Sequence, residues 1–446
     1  MRSRGFSLSA FAPSRRTATM LFALSGIFVT IAEPPAVQAQ TFQVLHSFTG
    51  QGDGGNPVGT PTLDAEGNLD GTTVNGGEGL GTVYKLTSRG SGWLLKILYD
   101  FGSGGQYDGF QALGQLVQDS RGIIYGATHG GGLYGEDGTV FQLRPSPTPP
   151  AAVIAPWMET LLHSFGNGSD GSLPDHGDLT IDPQGNLYGT TYEGGSFGWG
   201  TVYKLTPSGG GWTYQMLYSF SGGTDGGYPV SGVVLDAVGN LYGTTQVGGM
   251  SNWGVVYQLT QSGSETVLYS FTGIDDGLYP LAGVIFDSFG NLYGATSQGG
   301  SGLPCNGAAM EASLQQNARV GARNGTDGAG VVFRLSPGSG GWIYTSIYPL
   351  PGTYGTVERL VMDPAGDIYG TSEGGLYQWG WVFELTPGLG GWTCTSLHDF
   401  TNGTDGGTPE AGLVRDSNGN LYGASFNGGL QGCGSIGCGV IWEITP

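Results

Sequence analysis

The chain has 446 residues, 89 of them Gly and four Cys, and a formal net charge of −20 at pH 7. That acidic balance argues against nucleic acid or an anionic membrane surface as a partner and is compatible with cations or neutral polar ligands. The glycines recur at fixed positions, so they mark turns and close approaches and exclude a disordered low-complexity chain.

Residues 1–39 read as an export signal peptide. Arg2, Arg4, Arg15 and Arg16 form a basic leader, Met20 to Ala32 is apolar but short for a membrane span, and Val37-Gln38-Ala39 places small residues at a cleavage site. The Arg15-Arg16 pair also raises a twin-arginine route. Residues 40–446 are expected to form one domain, a monomer without a membrane span. The expected location is secreted or otherwise at the cell exterior, the periplasm included.

The mature chain opens on an apolar strand, Phe42 to Phe48. Seven copies of Asp-x-x-Gly-Asn-Leu-Tyr-Gly then organise the sequence. Four are close to this form, Asp182 to Gly189, Asp236 to Gly243, Asp287 to Gly294 and Asp416 to Gly423, and three are looser, starting at Asp64, Asp119 and Asp363. Recurrence at a spacing of 51 to 76 residues marks a tandem-repeat fold. Each copy predicts a tight hairpin, in which Asp accepts backbone hydrogen bonds and Gly takes a positive φ.

Four short strands fit each repeat. In the fourth they are 230–236, 240–245, 254–259 and 265–271, here termed A to D. Their β-branched and aromatic content, punctuated by Gly and Pro, predicts an all-β protein. The architecture expected is a seven-bladed β-propeller with four-stranded antiparallel blades. The chain ends in a strand C, Gly439 to Thr445, whose blade lacks a strand D. The N-terminal strand 42–48 should therefore join the last blade and close the ring. A solenoid is the alternative, and it would need capping repeats.

Aromatic residues recur on strand C (Tyr84, Tyr203, Tyr257, Phe333, Phe383, Trp442) and on strand D (Phe48, Phe101, Phe165, Phe220, Phe271, Phe400), as expected of filling between blades. His46, His163 and His398 replace the tyrosines Tyr99, Tyr218 and Tyr269 as packing residues. Two stretches depart from the repeat. Residues 145–157 are a Pro-rich connection, and 301–329 form a loop insertion with Met310 to Val320 as a helix candidate. Cys433 and Cys438 lie in one Gly-rich loop and are expected to bridge, whereas Cys305 and Cys394 have no evident mates.

The blocks Gly-Asn-Leu-Tyr-Gly-Thr-Thr, Gly-Gly, Gly-Thr-Val-Tyr-Lys-Leu-Thr-Pro, Leu-Tyr-Ser-Phe and Asp-Gly-Gly-Tyr-Pro recur in one order over 42–446. In this the chain resembles the GloVer tandem repeat of secreted bacterial proteins. The resemblance implies a propeller-like protein at the cell exterior and supplies no activity or catalytic residues.

The D–A and B–C loops should share one face around the channel mouth. There the Asp-Gly loops would gather Asp53, Asp108, Asp170, Asp225, Asp276 and Asp405, a set able to bind calcium; plain turn chemistry is the competing account. Trp199, Trp253 and Trp379 precede the Gly that opens strand C, and Tyr228 and Tyr279 follow Asp-Gly turns. Together they suggest stacking on a saccharide, against packing between blades. His129, His176 and Glu193 are the candidates for acid–base chemistry. The function expected is a secreted binding module for a polysaccharide or an extracellular protein. A channel-mouth lyase or glycosidase and a structural envelope component are the alternatives.

Overall fold

Each blade starts from a turn tied by its own aspartate. Asp182 accepts the backbone N–H groups of Gln184 and Asn186 at 3.0 and 2.8 Å, the Asn186 amide at 2.7 Å and the Tyr188 hydroxyl at 3.1 Å. Burial opposes ionisation of this carboxyl, but the Asn186 side chain and the backbone donors outweigh it and hold its pKa below the usual value. Asp236, Asp287 and Asp416 repeat the arrangement. The motif is therefore a self-contained hairpin, and the chain repeats it because each blade needs one.

The computed structural model describes residues 40–446 apart from 91, 106, 147–156, 167–168, 175–177, 274, 301–304, 306–329, 352–358 and 431. The export signal 1–39 and the helix candidate Met310 to Val320 lie outside these. Among the described residues the chain forms seven four-stranded antiparallel sheets, the blades of a β-propeller. No helix there is long and apolar enough to cross a membrane.

In the fourth blade, strand A is Val234–Leu235, B is Leu241–Thr245, C is Val255–Leu259 and D is Glu265–Ser270. Strand A is shorter than 230–236 because only its last two residues pair with B. The residues before them run along the channel. In the blade with the Pro-rich connection, strands C and D pair as far as Pro145 opposite Trp157.

The last blade is completed by the first strand. Thr41–Ser47 pairs antiparallel with Val440–Thr445, Val44 opposite Trp442.

Aromatic side chains join neighbouring blades by one recurring contact. In five blades the strand D Phe meets the strand C aromatic of the next: Phe101 on Phe141 at 5.5 Å, Phe165 on Tyr203 at 5.2 Å, Phe220 on Tyr257 at 5.1 Å, Phe271 on Phe333 at 5.2 Å and Phe400 on Trp442 at 5.6 Å, while the fifth blade has the buried Leu350 there. Phe48 from the first strand meets Tyr84 at 5.4 Å and joins the last blade to the first. All these rings are fully buried. The Gly of Leu-Tyr-Gly exists for this layer, because a Cβ on Gly243 would stand 2.5 Å from the Tyr257 hydroxyl.

The first blade carries Asp70 where the other six repeats have Tyr. Asp70 is buried, and Lys85 reaches it at 3.2 Å and Asp64 at 2.6 Å. Burial raises the Asp70 pKa to about 6 even though Lys85 lowers it.

Candidate binding face and channel

The D–A and B–C loops do share one face, since they pair with each other. Gly55 bridges Asn75, Gly109–Phe110 pairs with Gly130–Gly131, Ser172 bridges Glu193, Gly227 bridges Val247, Leu278 bridges Gln298 and Gly407 bridges Asn427. Six D–A loops hold a non-Gly residue at positive φ at one shared position: Asn56, Gln111, Leu173, Tyr228, Tyr279 and Thr408. The N–H of this residue donates to the preceding blade, and its carbonyl accepts from the end of its own strand B. For Tyr228 these are Trp199 O at 2.9 Å and Gln246 N at 2.9 Å; for Tyr279, Trp253 O and Ser297 N, both at 3.0 Å. It is a backbone staple between blades.

The staple explains where the expected aromatic residues lie. Trp199 covers Gly222 and stands 4.7 Å from the Tyr228 ring, and Tyr228 stacks on Tyr192 at 4.6 Å with planes 20° apart. The Tyr192 hydroxyl donates to Gln246 Oε1 at 3.2 Å. Trp253 covers Gly273 and meets Tyr279 edge-on at 5.3 Å. Among the described residues no such stack involves Trp379, which accepts the Thr408 N–H at 2.7 Å through its carbonyl and is 39% exposed. Trp199, Tyr228 and Tyr192 are all half-buried and form one continuous aromatic string.

The Asp-Gly aspartates sit elsewhere than expected. Each lies at the outer end of its loop, beside strand D, and none lines the channel. The reason is their bonding. Asp225 accepts Ser221 N at 2.8 Å and the Tyr218 hydroxyl at 3.1 Å. Asp276 accepts Thr272 N and the Tyr269 hydroxyl, both at 2.8 Å. Asp53, Asp170 and Asp405 pair with His46, His163 and His398 at 3.4, 3.0 and 3.2 Å. The histidines thus replace tyrosine as partners of the loop aspartate, beyond packing. Burial lowers the pKa of all three, and their aspartates oppose it. Among the described residues no group of three or more His, Cys, Asp or Glu could hold a metal ion.

His129 follows strand B of the second blade, and its N–H donates to the Gln111 staple carbonyl at 2.9 Å. Glu193 is exposed and pairs through its backbone with Ser172. His176 lies outside the described residues. Cys433 and Cys438 are bridged, and Cys305 is bridged to Cys394 across 89 positions.

The channel holds polar residues that motif reading passed over. Its loop-side half is a cavity of about 250 Å³ lined from all seven repeats, and the opposite half is a wider funnel of about 590 Å³. Arg359 lines both. Its Nη1 donates to Gln115 Oε1 at 2.7 Å and lies 3.8 Å from Asp178 Oδ2, while Asp178 Oδ1 accepts the Gln115 N–H at 2.7 Å. Arg359 of the sixth blade therefore reaches across to the second and third. Thr60, Gln115, Asp178, Gly232, Gly283, Arg359 and Gly412 all stand four residues before a motif Asp. Reading that one register position across the repeats would have exposed the constellation. Glu373 and Glu410 line the same cavity. Burial, and then the Glu373 charge, raise the Glu410 pKa to about 7.

Residues 154–319 match the Gloeobacter/Verrucomicrobia repeat family, the repeat that the sequence blocks resemble. No curated protein matches the sequence. Several solved structures are similar to it in shape. PorZ of Porphyromonas gingivalis, a bacterial surface component of the type-IX secretion system, is 14% identical with a TM-score of 0.48, over 86% of this chain and 46% of that one. An ulvan lyase, of a new family of polysaccharide lyase, is 9% identical with a TM-score of 0.47, over 86% and 88%. A gluconolactonase of Xanthomonas campestris is 14% identical with a TM-score of 0.39, over 74% and 86%. At such values the likeness carries no activity to this chain.

Proposed function

Taking a Gloeobacter/Verrucomicrobia repeat wound into a seven-bladed propeller as the premise, we propose that the protein is an extracellular binding module whose loop face holds a saccharide. The observation that supports this is the string Trp199–Tyr228–Tyr192, anchored at its inner end by Gln246. Half-buried rings offer apolar faces for sugar C–H groups, and the Tyr192 hydroxyl and Gln246 amide offer polar edges for sugar hydroxyls. The staple fixes the Tyr228 backbone at both its N–H and its carbonyl, so the platform is ordered before a ligand arrives.

A glycan array probed with the purified protein tests the reading. Binding to a defined glycan is expected, lost in Tyr192→Ala and in Gln246→Ala while thermal unfolding is retained. Binding that survives both substitutions, or no binding to any glycan, would overturn it. Cell fractionation tests the exterior location.

A further inference from the structure

The turn-side half of the channel, the funnel of about 590 Å³, has a wall and a floor of opposite character. The wall comes from one register position, two residues before each motif Asp. That position is β-branched in every repeat, as in Val117, Ile285, Val361 and Val414, and half-buried throughout. Thr62 and Thr180 conform, because each donates its hydroxyl to a carbonyl of the next blade, Leu116 O and Val233 O. Neither hydroxyl therefore donates into the channel, and the wall is an apolar sleeve.

The floor is Arg359, two residues further in than the wall. Gln115 accepts one guanidinium hydrogen bond at 2.7 Å, and Asp178 stands 3.8 Å away, beyond hydrogen-bond reach. The other guanidinium donors have no acceptor among the described residues. Arg415 lines the funnel nearer its mouth, 3.7 Å from Asp363. Among the described lining residues these two arginines carry the only charges, and Asp178 lines the loop-side half instead. A funnel of this sign is a departure in a chain of net charge −20. Packing a ring of blades requires neither feature. Half-buried hydrocarbon left in water forgoes roughly 25 cal/mol per Å², and a cation held partly out of water is costly until an anion joins it. One kind of ligand answers both costs, an anion with an apolar body.

We infer that the turn-side funnel is a binding site for a medium-chain organic carboxylate. The carboxylate takes the open donors of Arg359, whose planar guanidinium suits two-point recognition. The hydrocarbon chain lies along the β-branched sleeve, within a volume ordinary for a small-molecule site. Arg415 adds a favourable potential for an entering anion. The site is independent of the aromatic string on the loop face, whose residues it does not use.

Calorimetric titration of the intact protein with octanoate, 1-octanol and acetate tests the inference. The alcohol has the chain without the charge, and acetate has the charge without the chain. Octanoate is expected to bind at least tenfold more tightly than either. Arg359→Gln should lower octanoate affinity roughly tenfold or more and leave 1-octanol binding as it was, which shows that the sleeve is intact in the variant. Tyr192→Ala should leave octanoate binding unchanged, which separates this site from the loop-face platform. Octanoate binding no tighter than 1-octanol or acetate, unchanged octanoate binding in Arg359→Gln, or no octanoate binding at millimolar concentration would each overturn the inference.

Discussion

The backbone N–H of Tyr228 donates to the carbonyl of Trp199 at 2.9 Å while the two rings stand 4.7 Å apart. One residue thereby joins two blades twice, by backbone and by ring. The cost is a φ of 57° at Tyr228, in the left-handed region that side chains disfavour.

Replacing Tyr228 separates these two contributions. Tyr228→Ala and Tyr228→Gly both remove the ring, but only Gly takes the positive φ freely. Tyr228→Gly should therefore be more stable than Tyr228→Ala by about 1 kcal/mol. Denaturant unfolding of the pair measures the difference. Equal stability would mean that the loop relaxes out of the left-handed region and that the staple does not constrain it.

Ring closure gives a second expectation. Thr41–Ser47 supplies the outer strand of the last blade, and Phe48 fills the seam against Tyr84. Deleting residues 41–48 leaves Val440–Thr445 as an open edge and removes the aromatic link between the last blade and the first. The truncated protein should aggregate and elute earlier than the intact protein, as read by light scattering after size exclusion. Unchanged elution and unfolding would show that the closing strand is dispensable.

What the sequence made legible was the part of each blade written in side chains. Asp182 with Asn186, the Gly243 that faces Tyr257, and the Phe48 that has no preceding blade are each specified by residue type and spacing. The staple was hidden because Asn56, Gln111, Leu173, Tyr228, Tyr279 and Thr408 share a backbone conformation and no chemistry. The channel site was hidden for another reason. Arg359, Gln115 and Asp178 lie in different repeats, and their meeting depends on closing the ring. The loop aspartates were misplaced because a D–A loop crosses the blade from its outermost to the next innermost strand, and spacing alone does not say which end holds Asp225.

The two disulfides should contribute very unequally. Cys305–Cys394 spans 89 positions and ties strand D of the sixth blade to the loop that precedes strand C of the fifth. Cys433–Cys438 spans five positions within one loop. On chain-entropy grounds the long bridge contributes about 4–5 kcal/mol and the short one less than roughly 3 kcal/mol. Melting of the Cys305→Ser/Cys394→Ser and Cys433→Ser/Cys438→Ser double variants compares them directly. Similar losses in both would remove loop length as the deciding factor.

One position on strand D closes each seam between blades, and its chemistry predicts how stability depends on pH. Tyr214 stacks on His163 at 4.1 Å, Tyr344 on Tyr269 at 4.6 Å and Phe42 on His398 at 3.7 Å, whereas Cys394 is bridged to Cys305. Between the first and second blades the position is Glu159, set against Tyr99 and Asp108. One oxygen of Glu159 and one of Asp108 are buried there without a hydrogen-bond partner among the described residues. Burial, and then the Asp108 charge, raise the Glu159 pKa to about 8. A carboxyl whose pKa is raised by folding contributes stability that is complete below its unfolded value, near 4.5, and is lost as pH rises through about 8. Glu265, raised to about 7 by burial and Asp225, and Glu410 act in the same direction. The buried histidines act oppositely, but their pKa values are lowered from 6.5, so their contribution changes only below that value. Between pH 6.5 and 9 the melting temperature should therefore fall, and Glu159→Gln should reduce the fall while keeping the seam filled. Melting curves of both proteins at intervals across that range are the measurement. A parallel decline in the two would mean that Glu159 ionises in the seam without cost, and that the seam admits enough water to solvate both carboxylates.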